Sequence, residues 1–509
     1  MKLDFVKNTK RNIFASAVSR GLALLFPFLN RSLFLWLMGS EYLGLNGLFT
    51  SIIGGLSLAE LGFGTAIVCS MYKPIAEDDR ETVCAYLRFY RTIYRWIGAI
   101  ILVAGLCLLP FLRHLVKGTI PPDINLHILY LLHLSNTAVS YFLFAYRSSI
   151  LAAHHRNDVQ TNIDTLISLL QYLTVFMILI FLRNYYLYVI TTVVYTMIRN
   201  LLIMRESKRL FPYIEPRGDL DPEKKRHVLS DVKSIFMHRI GGYTSTKIDN
   251  LVSSAFMGLG WVATYGNYFY VYTNVAGLPS IVYSGMMGGF GNKLNTESKD
   301  KNFELFMRVY RMTGIIIIWC TTLMLALYQP FIRGWMREKQ MLVQPFITSA
   351  LFVALFYINQ SRQVLLTFKG AAGLWREDRW KPVAGAAVKL LISLLSVLFL
   401  DDRYKLDGVI ISSIIGYVVV QIPWESHVVF SKFFDRQKGK YYWLQQLKFA
   451  MLAIIPCAIT LAVVQPIPLE RTRGLIVKGI VASVVSTAVM LIIFRKDLID
   501  VVKKVLRRA

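Results

Sequence analysis

Apolar residues in this chain come in long runs, with neither the strict alternation of a half-buried strand nor the single stripe of a soluble helix. Fourteen runs are about 20 residues or longer, the length a helix needs to cross a bilayer: 13–38, 42–72, 92–116, 124–153, 161–182, 186–204, 238–258, 260–291, 304–332, 342–368, 381–400, 407–430, 445–464 and 474–494. The seventh, rich in Thr and Ser, is the least apolar. Inside hydrocarbon every backbone amide must be satisfied within its own segment or a closed barrel, and barrel strands would be about ten residues long and alternating. The pattern predicts an all-α polytopic membrane protein with about 14 transmembrane helices.

Composition agrees. Of 509 residues, 55% are apolar and 17% charged, with a mean hydropathy of +0.47. This excludes a soluble enzyme, a disordered basic chain and a disulfide scaffold. Lys and Arg number 57 against 31 Asp and Glu, a formal charge of +26. In a soluble protein that excess would point to nucleic acid. Here it sits in short segments between apolar runs, so no nucleic-acid partner is expected. With the N-terminus inside, the cytoplasmic segments hold 39 Lys and Arg and the outer loops 10. That asymmetry predicts a membrane protein with both termini in the cytoplasm. Ala15-Ser16-Ala17 resembles a cleavage site but stands at the start of the first apolar run instead of after one, so no cleavable signal peptide is expected. The five cysteines read as small core residues without metal-ligand spacing, and no metal or cofactor is expected.

The chain resembles itself at an offset of about 219–220. Met38-Gly39 returns as Met257-Gly258, and Arg156-Asn157-Asp158 as Arg376-Glu377-Asp378. Six spans per copy make the repeat parallel, a plan used by transporters that rock two bundles about a central site. The predicted division is an N-lobe at 1–204, a basic inter-lobe loop at 205–237, a C-lobe at 238–430, two further spans within 431–494 and a tail at 495–509. The tail places Leu498, Val501, Val502, Val505 and Leu506 opposite four basic residues. It is either a helix on the anionic inner leaflet or a solvated helix end.

Charges within spans carry the functional signal. These are Arg20 and Arg31 in the first, Glu60 in the second, Arg147 in the fourth and Arg199 in the sixth. Lys247 and Asp249 follow in the seventh, then Arg362, Lys389, Glu425 and Lys478 in the tenth, eleventh, twelfth and fourteenth. Five such charges facing lipid would cost roughly 12–18 kcal/mol, as much as a domain's folding free energy. They must face water or one another. Arg20 and Arg31 lie within roughly 20° of one helix face and about 16 Å apart. Thr244, Lys247, Asn250 and Ser254 form a second polar stripe. Counting Glu60, Asp249 and Glu425, there are eight bases against three acids, a balance suited to an anionic substrate such as a phosphate or pyrophosphate. Arg147, Arg199, Arg362 and Glu425, near span ends, either join that cavity or snorkel to the interface, where Lys478 is also expected. Glu60 is a proton or cation site, a salt-bridge partner of an arginine, or a structural acid.

The chain contains no G-x-x-x-x-G-K-[ST] and no H-E-x-x-H, and its outer loops are about ten residues or shorter, which counts against an enzyme. Three stretches resemble bacterial polysaccharide flippases: Gly39 to Asp79 (GSEYLGLNGLFTSIIGGLSLAELGFGTAIVCSMYKPIAEDD), Lys247 to Asn292 and Leu406 to Phe430. That family comprises the lipid-linked oligosaccharide, O-antigen and capsule transporters of the multidrug/oligosaccharidyl-lipid/polysaccharide (MOP) exporter superfamily. The resemblance implies two six-helix lobes around a V-shaped cavity, plus two C-terminal helices. It implies flipping of undecaprenyl-pyrophosphate-linked oligosaccharide to the outer leaflet by alternating access. It also implies a monomer, with a polysaccharide polymerase and export machinery as further partners. Arg20, Arg31, Arg147, Lys247, Arg362 and Lys389 would then bind substrate, with Glu60 and Asp249 coupling to a H+ or Na+ gradient or forming salt bridges. Lys389 departs from the family, where Asn is frequent at that point of the span. The alternatives are a multidrug exporter of the same superfamily, which would need an acidic or aromatic cavity, and a membrane enzyme of glycan assembly.

Overall fold

The computed structural model describes residues 25–60, 63–117, 120–336, 339–374, 377–468 and 471–495. Within the helices it describes all side chains but those of 58–59, 231, 233–247, 281–282, 284–296 and 471–472. Among the described residues all regular structure is helical. The first half contains α1 (Leu25–Leu37), α2 (Ser40–Leu56), α3 (Phe63–Ala76), α4 (Arg80–Cys107), α5 (Leu126–Phe142), α6 (Ser148–Ala153), α7 (Asn157–Met177), α8 (Tyr185–Leu210) and α9 (Pro222–Phe256). The second contains α10 (Leu259–Thr296), α11 (Lys299–Trp335), α12 (Phe346–Ser361), α13 (Gln363–Ala371), α14 (Lys381–Phe399), α15 (Lys405–Ile415), α16 (Ile422–Lys432), α17 (Arg436–Val464) and α18 (Arg471–Ile493). Eight helices, or nine if the bent pair α5–α6 is one span, are long and apolar enough to cross a bilayer among the described residues.

Helix starts follow the short polar residues. Asp79 accepts from the amide of Thr82, Asn184 from Leu187 and Asp435 from Lys438, each satisfying an amide that the first turn leaves open. Three helices run on past the expected span ends. α9, α10 and α11 have 35, 38 and 37 residues. Most of the segment 292–303 between the eighth and ninth runs is therefore helix, because nothing but Glu297-Ser298 interrupts the backbone ladder.

The chain forms two compact units, Met1–Ala263 and Thr264–Ala509. The first includes α9, the helix that the repeat places in the second copy. It packs on α2 and α3, and Asn250 Nδ2 donates to Ser51 Oγ at 2.9 Å. In the same unit α7 and α8 are tied by Gln171 to Thr192 (3.3 Å) and Thr174 with Tyr195 (2.8 Å), and α8 donates from Thr196 to Asn136 of α5 (2.8 Å). In lipid such bonds help where no hydrophobic difference separates helix from solvent. In the second unit α11 is the central strut, with α12, α17 and α18 against it. The two helices beyond the repeat are thus built into this unit. Phe306, Phe368, Phe430, Phe434 and Tyr442 interlock across four helices, with ring centroids 4.9–6.3 Å apart.

Several spans are broken, and the breaks carry charge. Ser57–Glu60 is a 3-10 turn between α2 and α3. α5 and α6 meet at a 48° bend, where Phe144 has φ +54° and Arg147 closes a second 3-10 turn. Arg362 stands at the junction of α12 and α13.

Candidate functional site

In the first unit the best-defined polar cluster surrounds Glu60. Its carboxylate accepts from the hydroxyl of Tyr94 on α4 and, at 2.6 Å, from that of Tyr141 on α5. Tyr90, one turn before Tyr94, bonds to the Tyr94 hydroxyl, their ring centroids 4.5 Å apart. Gly64 leaves room for this: a Cβ there would come within 2.9 Å of the Tyr90 hydroxyl. No lysine or arginine among the described residues pairs with Glu60. A carboxylate at a helix break, held by neutral donors, can take up a proton or hold a small cation with little rearrangement.

The other charges are dispersed. Arg31 is half-buried on α1, within electrostatic reach of Tyr188, whose hydroxyl also bonds the Asn30 side chain. Asp249 is 1% exposed on α9. Arg20 lies outside the described residues, as do the side chains of Lys247 and Thr244. Arg199 donates to both oxygens of Asp164 on α7, at 2.6 and 3.1 Å. Asp164 lies inside the span 161–182, and Glu304 and Asp407 open the spans 304–332 and 407–430, so the count of three intramembrane acids is too low. Arg147 is 2% exposed, and neither its Nε nor its Nη1 has a hydrogen-bond partner among the described residues.

The second unit contains a buried ionic network at the loop end of α13, α14 and α16. Arg362 donates from Nε and Nη2 to the two carboxylate oxygens of Glu425, at 3.1 and 2.5 Å. Lys381 reaches Glu425 at 2.5 Å and Asp378 at 3.1 Å, and Asp378 also binds Lys369. Arg362 and Glu425 are both buried, their side chains 6% and 0% exposed, and Lys381 completes the ion pairing of the carboxylate. Among the described residues three bases face two acids here. Lys369, just beyond the span 342–368, is held down to about 8 by burial and by the neighbouring Lys381, against the pull of Asp378. Lys389 is 3% exposed on α14, beside Gly416 of the π-turn Gly416–Gln421. Lys478, expected at the interface, donates to the carbonyls of Val464 (2.7 Å) and Gln465 (3.3 Å), closing the end of α17.

Lys369 and Asp378 lie between the runs 342–368 and 381–400, and Lys381 is the first residue of the second, so none of the three stands out in the sequence as an intramembrane charge. One signal was present. Arg376-Glu377-Asp378 repeats Arg156-Asn157-Asp158, and Asp158 is likewise buried, accepting from Arg156 at 3.0 and 3.2 Å. Both copies thus bury an acid at the same point of the repeat.

No protein-family model matches the chain, and no curated protein matches it by sequence. Solved structures match it at low identity and high coverage. A lipid II flippase, MurJ, in an inward closed conformation overlays with a TM-score of 0.69 and 14% identity over 96% of this chain and 99% of that one. An inward-facing multidrug resistance MATE family transporter of the MOP superfamily gives 0.60 and 13% over 82% and 98%. The MATE multidrug transporter DinF-BH gives 0.60 and 12% over 85% and 97%. Each of these is a transporter or flippase, not an enzyme. The chain is accordingly an all-α polytopic membrane protein with the fold of the MOP-superfamily transporters and flippases.

Proposed function

We propose that this chain flips a polyprenyl-pyrophosphate-linked oligosaccharide from the cytoplasmic to the outer leaflet of a bacterial inner membrane, for cell-surface polysaccharide assembly. The observation that carries the reading is the overlay with a lipid II flippase over nearly the full length of both chains. The surplus of positive charge in the spans supports an anionic headgroup over an organic cation. In this reading the chain is a monomer of fourteen spans with both termini in the cytoplasm, and polymerase and export machinery take the product. Arg20, Arg31 and Lys247 shelter the pyrophosphate in a central cavity while the polyprenyl tail stays in lipid. Arg147, Arg362 and Lys389, each buried in this conformation, join that cavity in this reading when the conformation changes.

Glu60, with Tyr94 and Tyr141, is proposed as the coupling site for a H+ or Na+ gradient, in which moving one charge is worth about 2.3 kcal/mol per 100 mV. Asp249 is the second acid in this reading. Protonation or cation binding at Glu60 would change the hydrogen bonds that hold the break between α2 and α3 to α4 and α5.

The test is flipping of a labelled lipid-linked oligosaccharide in proteoliposomes. Arg20→Ala/Arg31→Ala is expected to lose flipping at equal incorporation and unchanged melting temperature. Wild-type rates in that variant would remove the cationic cavity. The MATE overlays favour one second reading, multidrug export. Uptake of an organic cation dye, with no flipping of any lipid-linked glycan, would establish it instead.

A further inference from the structure

We infer that the groove between α16 and α17 binds the headgroup of an anionic phospholipid, a site separate from that of the flipped substrate. Both helices belong to segments apolar enough to cross a bilayer, Asp402–Lys432 and Arg436–Val464, and they meet at Phe433–Asp435. The loop end of the groove therefore lies at a membrane surface, with its length running into the hydrocarbon. The groove has a volume of about 760 Å³, within the range of about 300–1,000 Å³ for small-molecule sites.

Its chemistry changes along its length as a phospholipid's does. At the loop end stand Arg436 and Lys440, one helical turn apart on α17, with Ser431 and His427 opposite on α16. Deeper in, α17 contributes Trp443, Leu444 and Leu447, which are 44%, 69% and 63% exposed. Positions 436, 440, 443, 444 and 447 fall on one helical face. The nearby acids are already engaged: Lys438 binds Asp300 at 2.5 Å and Asp435 at 3.3 Å. No acid among the described residues pairs with Arg436 or Lys440. Two cations with a serine and a histidine match a phosphodiester, and the tryptophan and leucines match the glycerol region and upper acyl chains. The chain's own tail is a poor occupant, since Lys496 to Arg508 is also basic and would be repelled.

The experiment is native mass spectrometry of the full chain in non-ionic detergent, titrated with phosphatidylglycerol and with phosphatidylcholine. Wild type is expected to bind phosphatidylglycerol at least tenfold more tightly. Arg436→Gln/Lys440→Gln should bring the two lipids to near equality, and the charge-retaining Arg436→Lys/Lys440→Arg should keep the preference. Lys432→Gln/Lys448→Gln, which removes the same charge from the same segment outside the groove, should also keep it. All four side chains are exposed, so the fold is retained. Equal affinity for both lipids in wild type, or equal loss in the two glutamine pairs, would overturn the proposal. So would undecaprenyl pyrophosphate displacing phosphatidylglycerol in a manner that depends on Arg436 and Lys440, since the groove would then belong to the substrate.

Discussion

Arg362 and Glu425 meet side-on in the second unit, guanidinium to carboxylate at 3.1 and 2.5 Å, with side chains 6% and 0% exposed. Arg147 stands at a comparable helix break in the first unit, with no acid among the described residues to meet it. Among the described residues, the two breaks thus hold a guanidinium paired with an acid and one that is not. A guanidinium does not lose its proton in a protein, so the difference must be balanced by what each site contacts.

Breaking the Arg362–Glu425 pair should be costly. Glu425→Leu alone is expected to lose about 3–5 kcal/mol, because it leaves Arg362 buried without its acid, and Arg362→Met is expected to lose less, because Lys381 still pairs with Glu425. The double variant should recover most of the melting temperature in detergent. An additive loss in that double-mutant cycle would mean that the two residues act independently.

Arg147→Met should behave differently. It strands no acid among the described residues, so the melting temperature should hold or rise. If flipping in proteoliposomes falls while stability does not, Arg147 serves transport. A loss of stability as large as that of Arg362→Met would show instead that it has a protein partner.

Glu60→Gln keeps the shape of the side chain and one acceptor for the tyrosine hydroxyls but removes the charge. The expected result is a folded protein whose flipping no longer responds to an imposed proton or sodium gradient. Tyr141→Phe should give a weaker form of the same defect. A gradient response intact in Glu60→Gln would place the coupling elsewhere.

Lys369 gives a pH dependence. Its pKa in the folded chain is lowered to about 8, below the unfolded value of about 10.4, so folding disfavours the charged form. The penalty is full below pH 8 and is relieved as pH rises toward the unfolded value. The melting temperature should therefore climb between pH 8 and 10, and Lys369→Met should flatten that climb. An identical climb in the variant would assign it to other groups.

Close packing of α11 on α17 depends on Gly314, where a Cβ would lie 2.6 Å from the ring of Phe449. Gly314→Val is expected to cost about 1–3 kcal/mol by overpacking. Phe449→Ala in the same chain should relieve part of that strain, read as a partial return of the melting temperature. No relief would mean that the clash lies with a different neighbour.

The sequence by itself determined the all-α membrane class, because long apolar runs have few other solutions once backbone amides must be satisfied without water. It also determined where charge would enter the spans, since an ionised side chain in such a run is conspicuous. The repeat was visible at Asp158 and Asp378, whose shared burial follows from that register. Which charges meet was beyond it. Arg199 finds Asp164 and Arg362 finds Glu425 across 35 and 63 residues of chain, and Glu60 finds two tyrosines instead of a base. Partner choice depends on helix rotation and on breaks such as Phe144 and the turn at Ser57–Glu60, which no periodicity encodes. Helix packing likewise placed α9 against α2 and α3, and built α17 and α18 onto α11. Packing resolves to a single arrangement only when all the helices compete for the same faces, and that competition takes place in three dimensions.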